Sequence, residues 1–128
     1  MRVRTATRLM LIGVSLSTAS CTRDLKITVS VRGSEVFLRF VKGFWFFQTE
    51  QRSVCVVGAD AYNISGTLRV WSIRASNGAC VEANELKVGS VPMGFNPNSS
   101  PHLTRGQSYY AVVVTDTAAG RSKAWKQP

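Results

Sequence analysis

The stretch LKITVSVRGSEVFLRF, residues 25–40, decides the fold. Leu25, Ile27, Val29 and Val31 alternate with Lys26, Thr28, Ser30 and Arg32. A period of two with one apolar face marks a half-buried β-strand. Arg32-Gly33-Ser34 offers a turn, and the following run, EVFLRFVKGFWFF, is too rich in β-branched and aromatic residues for a helix. Gly43 marks a bend or bulge within it.

Outward from this pair the chain continues in the same idiom. VCVV at 54–57 is wholly apolar and suits an inner strand, GADAYNISG at 58–66 reads as a loop, and TLRVWSIRA at 67–75 as a strand. In that strand Leu68 and Val70 fall on one side, Trp71 and Ile73 on the other. Ser76-Asn77-Gly78 is a strong turn signal because Asn-Gly tolerates positive φ. ACVEANELKVGSV at 79–91 is strand with an irregular middle, and the proline-rich segment at 92–106 is the longest loop. QSYYAVVVTDT at 107–117 is a further strand, AAGR a turn and SKAWK a short last strand. About seven strands without a helix predict an all-β sandwich.

One local pattern sharpens that class. Leu103, Gly106 and Tyr109, in LTRGQSYYAVVV, resemble the E–F corner of fibronectin type III and immunoglobulin-like domains, with Arg105 where that pattern has proline. The resemblance implies a Tyr109 hydroxyl turned back to backbone a few residues upstream. Gly120-x-Ser122 resembles the hairpin exit into the last strand of such domains. A transthyretin-like sandwich is the nearest alternative, and neither architecture implies a function.

Upstream, MRVRTATR is positive without an acid, LMLIGVSL is a short apolar run and STAS is small and neutral. These are the zones of a bacterial export signal, and the apolar run is far shorter than the ~20 residues of a spanning helix. Thr18-Ala19-Ser20-Cys21 resembles the lipobox of bacterial lipoproteins. The resemblance implies cleavage before Cys21, lipid on its thiol and amino group, and a place on the periplasmic face of the outer membrane, since Thr22 is not the inner-membrane retention Asp. Ordinary cleavage after Ala19 is the alternative and would release a soluble periplasmic protein. The expected organisation is a signal peptide at 1–20, a lipidated tether at 21–24 and a sandwich domain at 25–128.

Removing Cys21 leaves Cys55 and Cys80 in a compartment that permits disulfides. A bridge between them would close a loop worth roughly 3.5 kcal/mol; two buried free thiols are the alternative. The whole chain carries 16 basic and 7 acidic residues. Arg2, Arg4 and Arg8 precede Cys21, so from Cys21 onward 13 basic residues stand against 7 acidic ones, a net +6. That balance favours anionic partners, but cations spread this evenly do not form a nucleic-acid groove, so no nucleic acid is expected.

Chemistry is sparse. His102, the only histidine, sits in a loop, and no nucleophile motif, Walker loop or metal-ligand spacing occurs, so we expect no catalysis, no metal and no cofactor. The most suggestive cluster is Phe44, Trp45, Phe46 and Phe47. Alternation forces it onto both faces: either a second layer covers it or an aromatic patch is exposed. Arg39, Lys42 and Arg52 nearby would give such a patch an anionic preference. The loop from Pro92 to Pro101 is a second candidate surface. The expected function is a structural or protein-interaction module of the envelope; the alternative is a binding module or inhibitor for an anionic ligand or acidic periplasmic protein.

Overall fold

The computed structural model describes residues 23–44, 47–99 and 101–128. The leader, Cys21, Trp45 and Phe46 lie outside the described residues. The described residues are all-β: two sheets packed as a small sandwich, with a short 3₁₀ turn at Ser76–Gly78. In chain order the strands are β1 (Arg23–Asp24), β2 (Ile27–Arg32), β3 (Glu35–Phe44), β4 (Phe47–Gln51), β5 (Val54–Asn63) and β6 (Arg69–Ala75). They continue with β7 (Val81–Ala83), β8 (Glu85–Lys87), β9 (Phe95–Ser99), β10 (Ser108–Thr115), β11 (Ala118–Arg121) and β12 (Trp125–Lys126).

The larger sheet has the order β1-β11-β10-β5-β6-β9, with β7 continuing the β6 side of β5 and β12 continuing the β11 side of β10. The smaller has β2-β3-β4, with β8 on β3. Residues 25–40 form the expected pair: β2 and β3 run antiparallel from Ile27↔Phe40 to Arg32↔Glu35. Gly33 turns them with a φ of +66°, a conformation that disfavours a β-carbon.

The core lies between the inner faces. Val36, Leu38 and Phe40 project from β3, Val56, Ala59 and Ala61 from β5, and Tyr109, Ala111 and Val113 from β10, all buried. Trp71 fills the middle at 1% exposure and donates its indole N–H to Ser90 C=O at 2.9 Å, so its one polar atom is satisfied. Full burial of such a side chain contributes about 2–3 kcal/mol. Val70 and Trp71, expected on opposite sides, are both buried because the β5–β6 register shifts between Ala61 and Tyr62.

The structure corrects several element boundaries. GADAYN is not loop but the second half of β5, where Ala59 and Ala61 keep the inward phase that apolarity alone understates. The proline-rich segment holds β9, an edge strand on β6 with Pro97 at a register shift, where its missing N–H is tolerated. AAGR is β11, and the turn falls earlier, at Asp116–Thr117. β7 and β8 are divided by Asn84, where the chain leaves the larger sheet for the smaller. Arg23 and Asp24 pair in parallel with β11, so the sheet begins two residues before the alternation at Leu25. That approach requires Gly120, whose β-carbon would lie 2.2 Å from Leu25 C=O.

Candidate functional site

The two outer faces differ in how their charges are used. On the smaller sheet, cross-strand partners neutralise each other. Arg32 bridges Glu85 at 2.8 Å and stacks 4.1 Å over Phe37, and Lys87 bridges Glu35 at 2.6 Å. The Glu85 hydrogen bond raises the Arg32 guanidinium pKa further above its already high value, so the guanidinium keeps its charge across neutral pH. Arg39, a candidate contact residue, is half-buried and donates to Gln51 Oε1 at 3.0 Å.

The outer face of the larger sheet is built otherwise. Register places Arg69 opposite Tyr62 and Tyr62 opposite Tyr110, while Arg121 reaches across from β11. The two tyrosine rings stack with centroids 5.5 Å apart and planes 25° from parallel. The Arg121 guanidinium lies 3.9 Å from the Tyr110 centroid. The result is a row across four strands, cation, aromatic, aromatic, cation. At that distance the ring face attracts the guanidinium. Among the described residues neither Arg69 nor Arg121 has a carboxylate within salt-bridge reach.

Beside this row, Asp60 is held by Arg74 at 3.0 and 3.1 Å and accepts from Ser72 Oγ. With its side chain only 13% exposed, that acid is consumed internally and does not offset the arginines. The β5–β6 loop closes the row at one end. Asn63 Oδ1 accepts the Thr67 and Leu68 N–H groups at 3.0 and 3.1 Å, ordering the loop, and Ile64 and Leu68 stand 57% exposed on it. Exposed aliphatic groups next to tyrosine and arginine have the composition of contact surfaces.

At the opposite end, Cys55 and Cys80 form the expected disulfide, with Cα atoms 5.2 Å apart. It borders a cleft of about 350 Å³ whose rim includes Arg52, Glu82 and Asp116. The Asp116 carboxylate lies within 4.8 Å of both sulfurs, but the bridge consumes both thiols, which removes the thiolates a metal would need. Arg52, another candidate, is exposed at this cleft, away from the tyrosine row. His102 is exposed, and its backbone N–H donates to Val70 C=O at 2.8 Å, which fastens the loop over β6.

Of the residues proposed from sequence, Phe44 and Lys42 lie in β3, with Phe44 paired to Phe47 and Lys42 to Glu50 in the ladder. Tyr109 is 3% exposed and its Oη accepts the Thr104 N–H at 2.8 Å; Leu103 packs against the core, and Gly106 has a φ of +86°. Arg69, Tyr62, Tyr110 and Arg121 escape sequence reading because 59 positions separate Tyr62 from Arg121 and only strand pairing unites them. Among the described residues no helix is long and apolar enough to cross a membrane. The chain matches no known protein family and no curated protein.

Proposed function

We propose that this protein is a lipid-anchored interaction module of the bacterial envelope. In this reading it is acylated at Cys21 on the periplasmic face of the outer membrane and contacts an acidic protein partner through the larger sheet. It has no catalytic role. The observation that carries the reading is the Arg69–Tyr62–Tyr110–Arg121 row, where two cations without ion-pair partners among the described residues flank stacked tyrosines. Arginine and tyrosine concentrate binding energy in interfaces, and a guanidinium already held over a ring loses little entropy when it meets a carboxylate. Net positive charge would steer such a partner inward and repel basic ones. The immunoglobulin-like assignment belongs to the same reading and is supported by the Tyr109 corner bond and by Ser122, which accepts the Ala111 N–H at 2.9 Å where β11 passes into β12.

The test is binding to surface-immobilised poly-glutamate over rising salt, comparing the protein with Arg69→Gln/Arg121→Gln. A hydrogen bond to a charged group is worth about 1.5 kcal/mol or more, so loss of both arginines weakens binding by at least about tenfold and flattens the salt dependence. Retention that is indifferent to salt and to both substitutions overturns the proposal.

A further inference from the structure

β2 is the outer strand of the smaller sheet, and its backbone is only half used. The Val41 N–H donates to Lys26 C=O at 3.2 Å, which makes Ile27↔Phe40 a pair that exchanges no hydrogen bonds with each other. Alternation extends that state to Val29↔Leu38 and Val31↔Val36. The N–H and C=O groups of Ile27, Val29 and Val31 therefore point away from β3, and among the described residues they have no backbone partner. Beside them runs a groove of about 510 Å³ between β2 and the link into β12, lined by Ile27, Val29, Val31, Lys123, Ala124 and Trp125. Val31 is 52% exposed.

From this we infer that the β2 edge is a strand-addition site for an extended, acidic segment of a protein partner. Three donors and three acceptors match the unpaired edge of one added strand, and the groove accepts its alternate apolar side chains. Charge selects the occupant: among the described residues no acid lines the groove, Lys123 stands in its wall, and Lys26 and Lys126 are exposed beside it. A second copy fits worse, because antiparallel pairing of two β2 strands sets Lys26 of each near Arg32 of the other, between bodies of like net charge. This site is separate from the tyrosine row, so either proposal can fail alone.

The probe is a synthetic peptide of alternating valine and glutamate, long enough to span the six residues of β2. In amide-resolved NMR of the protein, the Ile27, Val29 and Val31 amides gain exchange protection on binding, whereas those of Thr28 and Ser30, already bonded to β3, change little. Val31→Pro removes one outward N–H at an exposed position and weakens binding by about tenfold. The same peptide N-methylated along one edge loses binding to the unaltered protein, which keeps the test independent of how the proline variant folds. Arg69→Gln/Arg121→Gln leaves this binding in place. Equal binding of the N-methylated peptide, or of a valine–lysine peptide, overturns the inference. So does slow exchange of the three amides without peptide, or a dimer in sedimentation, since the edge would then be covered already.

Discussion

At the scale of single residues, Tyr109 fastens one end of the sandwich with one atom. Its ring packs on Trp125 with centroids 6.1 Å apart while its hydroxyl closes the turn at Thr104. Tyr109→Phe keeps the packing and removes only the acceptor. Thr104 is exposed, so water re-solvates its amide and the loss stays near the lower end for a hydrogen bond, about 1 kcal/mol. Urea unfolding should show an earlier midpoint with an unchanged slope, and an unmoved midpoint would mean that the hydroxyl is idle. This corner is legible in sequence because all its parts fall within seven residues, Leu103 to Tyr109, and each obeys a local constraint. The Arg–Tyr–Tyr–Arg row obeys none. Tyr62 reads as a loop residue and Tyr110 as an ordinary strand residue until the β5–β10 register sets them side by side.

At the scale of elements, the disulfide staples β5 to the segment that leads into β7. The sheet already brings these together, since Cys55 is the ladder partner of Glu82, so the bridge holds geometry that hydrogen bonds also favour. Its main contribution is to the unfolded chain, where it closes a loop across 25 positions. Replacing both cysteines by alanine should preserve the strand signature in circular dichroism and lower unfolding free energy by about 3 kcal/mol. A loss under about 1 kcal/mol would show that the unfolded state gains little freedom from removing the bridge. The hairpin of β2 and β3 is clear from alternation because Val36, Leu38 and Phe40 of β3 are buried while Phe37 and Arg39 between them are only half-buried. β9 and β11 are not, since a proline and a glycine within them read as breakers; β9's edge position and β1's close approach to β11, not local propensity, make those residues acceptable.

For the molecule as a whole, the tether proposed at Cys21 fixes an orientation. β1 pairs in parallel with the start of β11, so the chain enters at the Asp116–Thr117 turn, the end that also holds the Cys55–Cys80 bridge. Only Thr22 separates Cys21 from β1, and two residues of extended chain span at most about 7 Å. A lipid on Cys21 would thus hold the disulfide end against the headgroups. Tyr110 lies five positions back along β10 from Thr115, about 17 Å toward the opposite end, so such an anchor would turn the arginine–tyrosine row away from the membrane. Two or three acyl chains give stable attachment where one gives only marginal binding. Cys21→Ser should therefore move the protein from the membrane fraction to the soluble fraction and abolish acyl mass at the amino terminus. Because the row lies well away from the anchor, the released protein should still bind poly-glutamate with the salt dependence of the anchored form. A Cys21→Ser protein that stays with membranes overturns the tether, and one that is released but no longer binds overturns the assignment of binding to the sandwich body.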